Sequence, residues 1–110
     1  MDAGEKKQFR QVAQEVIELT RREIQRLKEL TRPIAPDGAI GRISRIEAIG
    51  EKSINEAALR TATSRLAALE NVITQIDDID FGYCQVCGEA IPHGRLMLVP
   101  ESRLCVKCAD

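Results

Sequence analysis

All four cysteines of this chain fall in two CxxC pairs, Cys84-Gln85-Val86-Cys87 and Cys105-Val106-Lys107-Cys108, with 17 residues between them. A CxxC turn places two thiolates on one side of a tight knuckle. Two such knuckles supply the four sulfurs that a closed tetrahedral zinc prefers, at about 2.3 Å each, and the intervening length lies in the range usual for these sites. Gly88, directly after the first pair, is free to take a positive φ, which lets backbone N–H groups turn back toward the sulfurs. The spacing therefore predicts a structural zinc bound by Cys84, Cys87, Cys105 and Cys108. Two disulfides, a redox CxxC and an iron–sulfur centre are the competing uses of the same residues. Each fits less well. The charged run Met1–Arg10 is followed by no apolar stretch of a secretory signal, so a reducing compartment is expected. A redox pair opens a helix in a βαβ setting that this composition lacks, and a catalytic zinc needs a position left open to water. The single histidine, His93, sits in the turn-like triplet Pro92-His93-Gly94 and reads as an exposed loop residue.

A chain of 110 residues supports one small core, or a knob on an extended element. Its 16 Lys and Arg against 17 Asp and Glu leave a net charge of −1, which gives nonspecific binding to nucleic acid or membranes no electrostatic support. Phe9, Phe81 and Tyr83 are too few and too scattered to make base-stacking platforms. No segment approaches the roughly 20 apolar residues of a membrane span.

Before the cysteines, residues 1–80 read as an antiparallel helical hairpin, and residues 81–110 as a zinc-finger segment packed on the end of its second helix. The expected fold is mainly α, a coiled coil with a four-cysteine knob at its base. In the first arm Phe9, Val12, Ala13, Val16, Leu19, Leu27 and Leu30 share one face at about 100° per residue. In the second, Leu59, Ala62, Leu66, Leu69, Ile73 and Ile76 alternate three and four apart, the seam of a coiled coil. Pro33 and Pro36 place the bend, with a tip at about 32–41, because proline removes a donor and disfavours helix in the residue before it. Folding about residue 35 or 36 sets Leu30 near Gly41, Ile24 near Ala48, Val16 near Ile54 and Phe9 near Ala62. The second helix then runs on for roughly 15 residues, about 20 Å, and Leu69, Ile73 and Ile76 need cover from Leu96, Leu98, Val99 and Leu104. On the same wheel Ile40, Ile43 and Ile54 stay on the seam while Ile46 and Ile49 point away. Gly50 and the capping-box pattern Ser53-Ile54-Asn55-Glu56 leave open a break into a third helix.

The stretch Asp80-Phe81-Gly82-Tyr83-Cys84-Gln85-Val86-Cys87-Gly88-Glu89-Ala90-Ile91, followed by Arg95-Leu96, Pro100 and Leu104-Cys105-Val106-Lys107-Cys108, resembles the zinc finger of the DksA/TraR regulators of bacterial RNA polymerase. It covers about a quarter of the chain, the hairpin before it extends the likeness in architecture, and Arg42–Ala48 looks like the post-tip segment of short DksA-like members. The resemblance implies a cytoplasmic, non-enzymatic transcription regulator. Such a protein binds RNA polymerase and passes its coiled-coil tip through the secondary channel, with no sequence-specific DNA binding and no membrane association. It implies a polymerase-facing tip at Asp37, Ala39, Arg42 and Arg45. Better-known members carry two aspartates and an alanine there. Here Asp37 stands alone, Ile40 occupies the position of the second acid, and Arg32, Arg42 and Arg45 make the tip basic. Asp37 also suits an ordinary helix N-cap. The chain stops at Asp110, where longer members continue into a helix that helps form an alarmone site, so ppGpp binding is left open. Arg95, Arg103 and Lys107 are expected to offset the charge of the four-thiolate zinc. The alternative function is a zinc-stabilised coiled-coil adaptor or self-associating protein that uses Ile46 and Ile49 and does not act on polymerase.

Overall fold

The computed structural model describes residues 1–33 and 42–109; of residues 42–44 it describes the backbone alone. Two long helices, α1 (Ala3–Leu30) and α2 (Arg42–Gln75), are followed by two short ones, α3 (His93–Leu98) and α4 (Val106–Ala109). The described residues form no strand beyond a single antiparallel bridge between Tyr83 and Ala90. They span 61 × 26 × 18 Å, a rod.

Both ends of α1 are written in its sequence. Asp2, in an extended conformation, accepts a hydrogen bond from the Glu5 amide at 2.8 Å and satisfies one of the orphan donors of the first turn. At the other end Thr31 donates its hydroxyl to the Leu27 carbonyl at 2.9 Å, and Pro33 follows two residues later, disfavouring helix at Arg32. The buried face of α1 is Phe9, Ala13, Ile17, Thr20, Ile24 and Leu27. This is narrower than the expected stripe and rotated from it: Leu19 and Leu30 are exposed, and the line of contact runs through Ile17 and Ile24. A single facing helix covers only the residues nearest its axis, so the edges of a wide apolar stripe stay wet. Thr20 sits in this seam without an unsatisfied hydroxyl, because it donates to the Val16 carbonyl at 2.7 Å.

On α2 the expected alternation holds. Leu69 and, just past the helix end, Ile76 are buried, while Leu59, Ala62, Leu66 and Ile73 are half-buried. Val72 joins them as a buried residue because the zinc-finger segment packs on a second side of the helix there and widens the covered arc. The helix is continuous through Gly50 and Ser53, so the Ser53–Glu56 box caps nothing. Ile54, expected on the seam, is 71% exposed. The half-buried positions of that turn are Asn55 and Lys52, with Ala48 and Arg45 continuing the same three-four spacing. Ile40 and the side chain of Ile43 lie outside the described residues.

The register of the hairpin differs from a fold about residue 35. Arg21 meets Glu70 at 3.3 Å, Arg10 meets Asp77 at 3.5 Å, and Thr31 shares a shallow groove with Lys52, Glu56, Leu59 and Arg60. Phe9 therefore packs with Val72 and Ile76 instead of Ala62, and α1 itself covers the base end of α2. The overhang is at the opposite end, where α2 extends beyond Leu30. Hydrophobic burial sets this choice. Phe9 and Ala13 share one core with Val72, Ile76, Phe81, Ile91 and Leu96, and each large side chain removed from water there contributes about 1.5–3 kcal/mol. A shorter bend would have left Phe9 facing alanine. Of the four residues expected to cover the end of α2, Leu96 is buried and Leu104 packs against the core, but Leu98 is 80% exposed. None of the helices among the described residues is long and apolar enough to cross a membrane.

Candidate metal centre and the two ends of the rod

The first knuckle is a short hairpin held by backbone bonds. Ile91 donates to the Gly82 carbonyl at 2.8 Å, Cys84 to the Glu89 carbonyl at 2.8 Å, and Gly88 back to the Cys84 carbonyl at 2.9 Å. Closing so tight a loop needs left-handed backbone, which glycine supplies without a Cβ clash: Gly82 has φ 91° and Gly88 φ 75°. The second knuckle is the start of α4, where Cys108 and Ala109 both donate to the Cys105 carbonyl. Gln85 links the two knuckles by donating to the Arg103 carbonyl at 3.0 Å.

These turns gather the ligand atoms of Cys84, Cys87, Cys105 and Cys108 within 4.8 Å of one another, with the Cys87 and Cys105 sulfurs 3.6 Å apart. A tetrahedron of sulfurs about 2.3 Å from zinc has edges of roughly 3.8 Å, so the donor set fits the ion closely. Disulfides are not formed; all four thiols are free. Backbone amides of Cys87 and Cys105 hold the Cys84 thiol down to about 6, whereas the neighbouring Cys105 and Cys84 sulfurs push Cys108 up to about 12. Four thiolates this close repel one another without a cation between them, and a divalent ion removes that cost. The centre is built for structural zinc. Cys84 and Cys105 are also part of the hydrophobic core, so the metal site and the base of the coiled coil are one packed unit.

The arginines around it make clasping contacts. Arg95 Nε donates to the Leu104 carbonyl at 3.0 Å. Arg103 donates to Gln75 Oε1 at the end of α2 and lies over the Phe81 ring, 5.4 Å from its centroid. Phe81 in turn meets Phe9 edge to face at 5.1 Å, a geometry contributing about 0.5–1.5 kcal/mol beyond area burial. Arg65 reaches Glu101 at 2.9 Å. Lys107 is exposed. His93 is no loop residue: it opens α3, half-buried, with Nε2 3.3 Å from Gln8 Oε1 and Nδ1 3.4 Å from Glu5 Oε2. It ties the zinc-finger segment to the first turns of α1. A lone histidine between proline and glycine gave no signal of that contact, which joins residues 85 positions apart.

At the other end, Asp37 and Ala39 lie outside the described residues, as does the side chain of Arg42, the first residue of α2. Arg45 is half-buried on the seam line. Ile46 and Ile49 face solvent at 64% and 48% exposure, as their place on the helical wheel implies.

A helical hairpin whose base is locked to a four-cysteine zinc finger defines the class. Residues 79–110 match the model of the prokaryotic dksA/traR C4-type zinc finger, which bears out the resemblance read from the cysteines and their neighbours. Forty residues are 42% identical to the RNA polymerase-binding transcription factor DksA of Haemophilus influenzae, covering 36% of this chain and 28% of that one. The same-named factor of Escherichia coli K12 is 40% identical over 40 residues, covering 36% and 26%. A protein of Aquifex aeolicus is 34% identical over 68 residues, 58% of this chain and 47% of its own. The matches thus span less than half the length of these relatives. In three dimensions the fold is that of transcription factor DksA2 from Pseudomonas aeruginosa, with a TM-score of 0.77 over 99% of this chain and 83% of that one, at 23% identity.

Proposed function

We propose that this protein is a cytoplasmic regulator of transcription that binds RNA polymerase directly and acts by binding, not by catalysis. Cys84, Cys87, Cys105 and Cys108 hold a structural zinc. Residues 81–110 form the knob and residues 1–80 the hairpin, and the knob stays outside while the far end of the hairpin enters the polymerase's secondary channel. Asp37, Ala39, Arg42 and Arg45 are the polymerase-facing positions. The observation that carries this reading is the whole-length fold shared with a DksA-type factor, on a chain whose zinc finger also matches that family in sequence. A rod 61 Å long with its mass at one end has the shape of an object that reaches into a cleft.

A photo-crosslinking residue at position 37 of the zinc-loaded protein, mixed with purified RNA polymerase, tests the reading. Captured peptides that line the secondary channel establish docking and orientation together. Absence of capture, with helices and zinc intact, transfers the assignment to an adaptor or self-associating coiled coil. The exposed Ile46, Ile49 and Ile54 favour that second reading, and a stable dimer in solution, seen by mass measurement, is its signature.

A further inference from the structure

The net charge of −1 conceals a division along the rod. Residues 20–60, which make the half away from the zinc, hold nine Lys and Arg against six Asp and Glu, a net +3; the rest of the chain holds seven against eleven, a net −4. Four of these nine cations lie toward one flank. Lys52 and Arg60 of α2 line a shallow groove with Thr31, Glu56 and Leu59, and at 100° per residue Lys28 and Arg32 fall beside Thr31 at the end of α1. Glu29 and Glu56 pair with Arg32 and Lys52, whereas Lys28 and Arg60 meet no carboxylate among the described residues. At 100° per residue Glu47 and Glu51 fall on the opposite flank. Ile49 borders the basic flank and Ile46 lies next to it, both exposed. The three aromatic residues, Phe9, Phe81 and Tyr83, all sit at the base, so nothing in the tip half offers a ring for stacking on a base.

We infer that the basic flank of the tip half, centred on Lys28 and Arg60, docks on an acidic protein surface with apolar contacts for the neighbouring isoleucines. This rests on the polymerase reading and specifies the wall of the channel that receives the rod. Opposite ends of opposite sign also orient the approach. An acidic entrance attracts the tip and repels the base, a steering effect that raises the association rate and fades with salt.

The test measures affinity for purified RNA polymerase, with zinc-loaded protein, at low and at high salt. Lys28→Glu with Arg60→Glu is expected to weaken binding tenfold or more at low salt and much less at high salt. Lys7→Glu, an exposed reversal at the base, is expected to change it less than twofold. Circular dichroism checks that the helices of each variant are kept. If the double reversal binds within twofold of the parent, the basic flank is not the docking surface although the polymerase reading stands. Should the parent protein bind no polymerase at either salt, both readings fall. Tight binding of the parent to a 20-nucleotide single strand, abolished by the same double reversal, overturns the choice of a protein partner.

Discussion

The two halves of the rod are built on opposite terms. At the base, three elements meet: α1, α2 and the zinc-finger segment enclose Phe9, Val72, Ile76, Phe81, Ile91 and Leu96 around the buried sulfurs of Cys84 and Cys105. Beyond Leu30, α2 has the same three-four spacing, but its seam positions are Arg45, Ala48, Lys52 and Asn55, and its isoleucines face outward. The base spends its apolar residues on itself. The tip half keeps them on the surface, with an excess of positive charge, as the proposed docking role requires.

Removing the metal is the harshest way to break this contrast. Zinc binding in finger peptides is worth on the order of 10–16 kcal/mol, as much as or more than the roughly 5–15 kcal/mol that holds a whole domain. Chelation, or Cys84→Ser, is therefore expected to unfold the base and abolish the near-ultraviolet signal of the Phe9, Phe81 and Tyr83 region. A base that keeps its cooperative melt without zinc would show that the core alone suffices.

A gentler comparison uses one substitution in each half. Phe9→Ala opens a cavity in the shared core and is expected to cost about 3–5 kcal/mol in urea unfolding, while Ile46→Ala on the exposed face should stay within about 0.5 kcal/mol. Equal costs would mean that Ile46 is covered in the free protein. Gly50→Ala should go the other way. The helix is continuous there and a Cβ would meet nothing within 4 Å, so a gain of about 0.5–1 kcal/mol is expected. Loss of stability would instead locate a hidden contact at Gly50.

The smallest effect is a matter of pH. The Glu5 amide bonded to the Asp2 carboxylate holds its pKa below the ordinary value of 3.8. A lowered folded-state pKa means that the cap contributes above the ordinary carboxylate range and is lost as pH falls through the folded value. The first turn of α1 should fray below about pH 4 in the parent chain, and Asp2→Asn should flatten that part of the profile. An unchanged acid profile in the variant would assign the fraying to other carboxylates.

Much of this was legible from residues close together in the chain. The CxxC pairs with Gly88, the three-four alternation from Leu59 to Ile76, and Pro33 disfavouring helix at Arg32 each act over a few residues, where spacing and backbone chemistry decide the outcome. The register was not legible. Two amphipathic helices satisfy their seams in several alignments, and a bend placed by proline does not say how much connecting chain lies beyond it. Phe9 and Ile76 share their core with a third partner, Phe81, Ile91 and Leu96 of the zinc-finger segment, and burying these side chains together favours that alignment.

The sequence by itself therefore determined the four-cysteine cluster, the two long helices and the outward face of Ile46 and Ile49, because each follows from local periodicity and spacing. Only the tertiary structure decided where the helices stop overlapping, that His93, Arg65 and Arg103 clasp the zinc-finger segment to the coil, and that Val72 is core while Leu19, Leu98 and Ile54 are not. Those outcomes depend on which surfaces meet across 28 to 85 positions of chain, and packing free energy selects among alignments that the local pattern leaves equivalent.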